Sequence, residues 1–141
     1  MATTMRHWAA GRGRSNRSAA FTAAALAILV DEKKLAWNDR VIESLPWFQM
    51  SDPYVTREMT IRDLLVHRSG LGLGAGDLLF WPTTSYTTEE TVQRLRFVPL
   101  ATSFRAAYAY DNMLYAAAGL VLGHVAGRPW EAFVRERIFA P

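Results

Sequence analysis

Cysteine is absent from the 141 residues, which excludes disulfides, thiolate nucleophiles and cysteine–zinc sites. Lysine is scarce: Lys33 and Lys34 stand against 14 arginines. Histidine is scattered over His7, His67 and His124, and no H-E-x-x-H occurs, so neither a metal nor another cofactor is expected. No acid precedes Asp31, whereas Arg6, Arg12, Arg14 and Arg17 all do. Without these four, twelve bases face thirteen acids, so the net charge of +3 belongs to the head. A nucleic-acid partner would require a basic stripe across the folded part, and none is present. Long apolar runs are missing too. Ala19–Val30 has 12 residues, against the roughly 20 of a membrane span, so a membrane is not the expected partner. Asp31-Glu32-Lys33-Lys34 follows that run in place of a small-residue cleavage site, so it does not read as a signal peptide. It favours neither a cytoplasmic nor a periplasmic or secreted location.

Hydrophobic residues make up 50% and charged residues 21% of the chain, the balance of a packed domain and not of a disordered one. Residues 1–18, rich in Arg, Gly, Ser and Ala, show no period and are expected to lie outside the fold. Such a head resembles a transit peptide, and also the product of out-of-frame translation of a GC-rich gene. Helices are predicted after it. Ala19–Lys34 is the first. Leu35–Pro53 reads as an irregular segment that packs down through Trp37 and Trp47. Thr60-Ile61-Arg62-Asp63 is a capping box that opens a short helix through His67. Gly70, Gly72, Gly74 and Gly76 alternate without forming G-x-G-x-x-G, which suggests a flexible surface loop. Thr87-Thr88-Glu89-Glu90 is a second capping box, for a helix to about Phe97. Asn112–Ala126 has no formal charge and carries Leu114, Ala117, Ala118, Val121 and Val125 at helical spacing, a pattern for a helix buried on most sides. His124 on that helix reads as a satisfied polar core residue. Asp111 suits the N-cap, Gly127 the left-handed end, and Pro129 the start of a last helix.

Three segments together resemble the beta-lactamase-related serine hydrolases, which include class C beta-lactamases, D-alanyl-D-alanine carboxypeptidases and related esterases. Ala19–Leu26 followed by Val30-Asp31-Glu32 is similar to the helix that carries the nucleophile. Thr60–Leu71 is close to the family's T-I-R-D-L-L-x-H-x-S-G-L segment. Tyr110-Asp111-Asn112 matches its Y-x-N element. The resemblance covers about Ala19 to Pro141. It implies acyl transfer through a serine that opens a helix as S-x-x-K, a spacing that sets Ser and Lys one turn apart on one face. It also implies that Tyr110 moves the proton and that Asn112 binds a substrate amide or carbonyl, both pointing into one cleft that faces the start of the first helix. A late K-T-G or H-x-G strand would complete the site.

The sequence departs from this pattern in three places. Aligned without a gap, the serine position holds Asn16 and the lysine position Ala19; with a one-residue insertion they hold Ser15 and Ser18. Lys33 and Lys34 lie about 15 residues on, roughly 22 Å along a helix, and cannot substitute. Residue 33, where the family usually ends the helix with glycine, is lysine. The late element is absent, so residues 19–141 read as a domain truncated at its C-terminus. Taken without the family context, Tyr110 would be a core aromatic, Asn112 a residue bonded to local backbone and Ser15 an exposed loop serine; the resemblance implies a structural His67, since in that segment the histidine is not the catalytic base.

The implied fold is α/β (α+β) of the beta-lactamase/transpeptidase type. This chain would supply mostly the helical region, with most sheet strands missing. The apolar helix faces would then be exposed and open to self-association. The implied function is hydrolysis of a small-molecule ester, peptide or beta-lactam through an acyl-serine, inactive in this form. The alternative is a non-catalytic helical module that binds a ligand or a protein.

Overall fold

Residues 15–82 and 84–140 are described by the computed structural model, with side chains from Ser18 onward; the irregular head before Ser15 lies outside them. Helix α1 spans Ser15–Asp31, α2 Val41–Ser44, α3 Pro53–Glu58, α4 Ile61–Leu65, α5 Thr88–Gln93, α6 Met113–Ala126 and α7 Trp130–Val134. No strand occurs among the described residues, only an isolated antiparallel bridge between Arg40 and Thr60. The architecture is the mostly helical one expected.

The first helix starts one turn before Ala19, because Ser15-Asn16-Arg17-Ser18 contains neither glycine nor proline to stop it. It also ends before Lys34. Lys33 takes a left-handed φ of 58°, the Lys34 N–H donates to the Leu29 carbonyl and the Lys33 N–H to that of Val30. This is the double closure in which glycine is usual, here with lysine in its place. Within the segment expected to be irregular, α2 forms where the Val41 N–H donates to Met59 O and the Ile61 N–H to Asp39 O. Both capping boxes are present: Thr60 with Asp63 opens α4, and Thr87 with Glu90 opens α5. The α4 helix closes before His67, which adopts φ 56° and redirects the chain. The α5 helix runs on into a single 3-10 turn, Arg94–Phe97.

Helix α6 lies at the centre. Met113, Leu114, Ala117, Ala118, Val121 and Leu122 are buried against α1, α2, α4, α5 and α7, while Val125 is half-buried. His124 is exposed, contrary to its reading as a core residue. It sits in the last turn, where an imidazole suits the negative end of the helix. Gly127 ends α6 at φ 65°, as expected. Helix α7 follows Pro129, and the turn after it folds back: Phe139 packs edge-on against Phe21, and Arg137 bonds Glu32, just past the end of α1, at 2.5 Å. Ala25, Leu26 and Leu29 of α1 are thereby fully buried. Among the described residues none of the exposed large hydrophobics lies on α1 or α6. The faces of α1 and α6 that missing strands would leave open are covered in part by α7 and the turn after it, while Phe139 of that turn is itself exposed.

One ion pair ties the segment after Pro99 to this frame. Arg105, at φ 63°, bonds the buried Asp63 at 3.0 and 2.6 Å, and its backbone N–H donates to the Arg68 carbonyl. Burial would raise the Asp63 carboxyl, but the bonds from Arg105 and Thr60 outweigh it and hold Asp63 below its ordinary value. Thr60 donates to Asp63 Oδ2 at 2.8 Å and accepts the Asp63 N–H. Thr60→Ala is expected to cost about 1 kcal/mol of stability, read as a lower urea midpoint with an unchanged slope. A midpoint equal to that of the parent would show that the cap contributes nothing.

Candidate active site

The Tyr110–Asn112 element forms where the chain enters α6. The Asp111 carboxylate accepts the Leu114 N–H at 3.1 Å, and Asn112 already has helical angles. Asp111 is thus the side chain that caps α6, as expected, and the flanking residues 110 and 112 project from the turn before the helix. Asp111 itself is fully buried, and its Oδ2 has no hydrogen-bond partner. Burial, reinforced by the charge of Asp77 and opposed by the Leu114 and Met113 N–H groups, leaves its carboxyl pushed up to about 7.

His67 brackets Tyr110 from one side. Its carbonyl accepts the Ala109 N–H at 2.9 Å, and its Nδ1 accepts the Asp111 N–H at 3.1 Å. An accepting Nδ1 puts the proton on Nε2 in a neutral ring. Burial lowers the His67 pKa and favours that state. The His67 ring lies 4.6 Å from that of Tyr110, 5.3 Å from Tyr115 and 5.5 Å from Tyr108. The left-handed turn at His67 directs this ring among the three tyrosines. The Tyr115 hydroxyl donates to the Leu65 carbonyl at 3.0 Å, and burial, then the neighbouring Tyr110 and Tyr108, raise its pKa.

The alternating glycines bracket the element from the other side. The Gly74 N–H donates to the Tyr110 carbonyl at 2.9 Å. A Cβ at Gly76 would stand 2.9 Å from Met113 Cγ, so the loop backbone rests directly on the start of α6. Asp77 then opens a 3-10 turn, and its two carboxylate oxygens accept from Asn112 Nδ2 at 3.3 and 3.1 Å. Burial raises the Asp77 pKa, and the Asn112 bond partly offsets this. The surface loop expected here is in fact fastened to the site. Asp77 is the residue that sequence reasoning missed; the only signal was an acid immediately after the glycine series.

The positions expected to hold the nucleophile pair lie in the first turns of α1. Asn16 and Ser15 have helical backbone, and their side chains lie outside the described residues. Ser15 is therefore on a helix and not in a loop. Ala19 is half-buried and offers no amine. One turn on, Thr22 donates to the Ser18 carbonyl and accepts the Trp130 indole N–H, both at 2.9 Å. A cavity of about 30 Å³ is lined by Thr22 and Trp130 together with Tyr115 and Gly119 of α6. The structure thus gathers Tyr110, Asn112, His67, Asp111 and Asp77 at one end of α6, with α1 packed along the same helix. No group of three or more histidine, aspartate or glutamate side chains able to hold a metal occurs among the described residues.

Residues 18–141 match the family model described as Beta-lactamase. Penicillin-binding protein 4 of Amycolatopsis lactamdurans is 31% identical over 127 residues, covering 86% of this chain and 31% of that protein. An unguisins hydrolase of Aspergillus violaceofuscus is 29% identical over 135 residues, covering 86% of this chain and 23% of that one. The chain therefore spans a third or less of the length of these relatives. Among solved structures, a D-stereospecific amidohydrolase from Streptomyces sp. superposes with a TM-score of 0.72 at 28% identity, over 88% of this chain and 40% of that one. The D-amino acid amidase of Ochrobactrum anthropi does so with a TM-score of 0.70 at 27% identity, over 88% and 36%.

Proposed function

The chain belongs to the beta-lactamase family, and we propose that it carries the tyrosine–asparagine part of a serine hydrolase that cleaves ester or amide bonds, beta-lactams among them, through an acyl-serine. In this reading Tyr110 relays the proton between nucleophile and leaving group, and Asn112 holds the substrate amide. Ser15 is the nucleophile in one register of α1; in the other, positions 16 and 19 hold Asn16 and Ala19 in place of the serine and lysine. The observation that supports the reading most is the assembled Tyr110–Asn112 turn, held by His67 and Asp77 at the start of the central helix. The names of the amidase and penicillin-binding relatives make amides and beta-lactams the bonds to assay first.

The same α1 sequence argues that turnover is lost in the present chain. An unaided serine hydroxyl is a weak nucleophile, and no lysine stands one turn from Ser15 or at position 19 to activate it. Removing a nucleophile or its base from such a unit costs on the order of 10⁶ in rate. Hydrolysis of activated esters and of chromogenic beta-lactams is therefore expected near background. A serine-reactive phosphonate is expected to leave the chain unlabelled, as a non-catalytic module derived from the family would also do. Robust turnover that disappears in Ser15→Ala would overturn the inactivity and establish Ser15 as the nucleophile.

A further inference from the structure

Between residues 76 and 98 the chain doubles back and leaves a groove. One wall is the loop with Gly76 and Leu79; the other is the 3-10 turn after α5, with Arg94, Arg96, Phe97 and Val98. Its volume is about 590 Å³, within the range of about 300–1,000 Å³ usual for small-molecule sites. Leu95 is fully buried and pins the turn, so Arg94, Arg96 and Phe97 stand out around it. Leu79 and Val98 are half-buried and rest on the core, whereas Phe97 is 77% exposed. Both walls are thus apolar in part, and one of them carries two guanidinium groups.

The charge of these two groups is not matched at the groove. No acid lines it: Asp77 turns its carboxylate to Asn112, Glu89 accepts from the Gln93 amide, and Glu90 accepts the Thr87 N–H. Glu90 is held below its ordinary value by the Thr87 bonds first and by the Arg94 charge last. The ion pairs among the described residues are made by Lys34, Arg40, Arg105, Arg128 and Arg137, and neither Arg94 nor Arg96 enters one. Each guanidinium is instead aimed by a main-chain carbonyl, Arg94 by that of Glu90 at 2.7 Å and Arg96 by that of Gln93 at 2.8 Å. Arg94 also lies 3.6 Å over the Tyr86 ring. With five N–H donors on each guanidinium, most of each fork remains for an oxyanion.

We propose that this groove binds an amphipathic carboxylate, a small molecule with one carboxylate on an apolar chain. The carboxylate sits between Arg94 and Arg96, and the chain lies along Leu79, Phe97 and Val98. Charge complementarity selects an anion. The apolar walls select one with little charge to desolvate, which favours a single carboxylate over a phosphate. A concave groove charged on one wall fits a chain-like molecule and not a flat membrane face. The Tyr110–Asn112 chemistry has no part in this, so either reading can fail alone.

The test is titration of the full chain with dodecanoate, kept below the concentration at which it aggregates and followed by nitrogen–proton correlation spectroscopy. Saturable shifts are expected at the Gly76, Leu79, Phe97 and Val98 amides and at the Arg94 and Arg96 Nε–H signals. Dodecanol has the same chain without the charge, and butyrate has the charge on a short chain. Each is expected to bind at least about tenfold more weakly, for want of charged bonds or of buried apolar surface. Arg94→Gln combined with Arg96→Gln is expected to weaken dodecanoate by about tenfold or more and to leave dodecanol unchanged. Phe97→Ala weakens both. Thermal melts establish that the variants fold, and Arg96→Gln, at an exposed position, serves alone if the pair does not. Equal affinity for dodecanoate and dodecanol, shifts spread outside the groove, or binding unchanged in the folded arginine variant would overturn the proposal. So would a dimer that Phe97→Ala splits, which makes a second copy the occupant. Shifts at these amides with phosphatidylglycerol vesicles and none with dodecanoate would overturn it in favour of a membrane surface.

Discussion

Asp111→Asn is expected to stabilise the chain by about 2 kcal/mol at pH 8 and to give no gain at pH 5. Asp111 is fully buried, with Oδ1 on the Leu114 N–H and Oδ2 unbonded. Its carboxyl is raised from 3.8 to about 7 in the fold. The folded state therefore holds a proton that the unfolded chain has already released between about pH 4 and pH 7, and stability falls as pH rises through that window. At 1.36 kcal/mol per unit the full penalty above pH 7 is on the order of 4 kcal/mol, an upper bound for a single buried group. Asparagine keeps the oxygen that caps α6 and removes the charge. Its NH₂ replaces the unbonded oxygen and has no partner, which takes back about 1–3 kcal/mol and leaves the net gain near 2. Denaturant midpoints at pH 5 and pH 8 decide the matter. A parent chain equally stable at both values, or a variant weaker at pH 8, would show that Asp111 is ionised at no cost.

His67 sets the opposite limb of that profile. Its pKa is lowered by burial, and its Nδ1 must stay unprotonated to accept the Asp111 N–H. Unfolded chains bind a proton at histidine that the fold rejects, so this group's contribution is present above its unfolded pKa and is lost as pH falls below it. The two groups lie on one hydrogen-bonded turn and pull in opposite directions. Removing the Asp111 charge is expected to uncover the His67 limb, a rise in stability that ends near the unfolded histidine pKa of about 6.5.

How much of this was legible in the sequence depends on the range of the interactions concerned. Both capping boxes, the Asp111 cap and the left-handed Gly127 were readable, because each is settled within four residues of chain. Lys33, His67 and Arg105 at positive φ were not, since local sterics disfavour such residues there and contacts fixed elsewhere impose the turn. His67 is held by hydrogen bonds to residues 109 and 111, and Arg105 by Asp63. Helical spacing alone put His124 in the core; it is exposed in the last turn of α6. Asp77 shows the same limit within the candidate site. Its partner Asn112 lies 35 residues away, and no local pattern joins an acid after a glycine series to a Y-x-N turn.

Restoring the pair on α1 is expected to raise hydrolysis from background by several orders of magnitude, in a manner that depends on Tyr110. The chain would carry Asn16→Ser and Ala19→Lys and be extended by the C-terminal half of a family relative. Both positions lie on α1 as it is built, three residues apart and so on one face. The amine can then take the hydroxyl proton, and an ammonium nearby stabilises the phenolate form of Tyr110. The other register predicts a different single change: Ser18→Lys would pair with the existing Ser15, and whichever of the two extended chains is labelled by a phosphonate identifies the register. In the active chain Tyr110→Phe removes the proton relay while keeping the ring against His67, so the fold and the phosphonate-accessible serine persist. A general acid–base group of this kind contributes about 10²–10⁴ in rate. The loss should fall on kcat and not on KM, because the phenol acts in the transition state and adds little to ground-state binding. If the labelled, folded chain turns over and Tyr110→Phe costs nothing, the phenol is a core aromatic with a wet hydroxyl. If neither extended chain is labelled although both fold, the start of α1 does not face the Tyr110 turn, and the shared cleft is wrong.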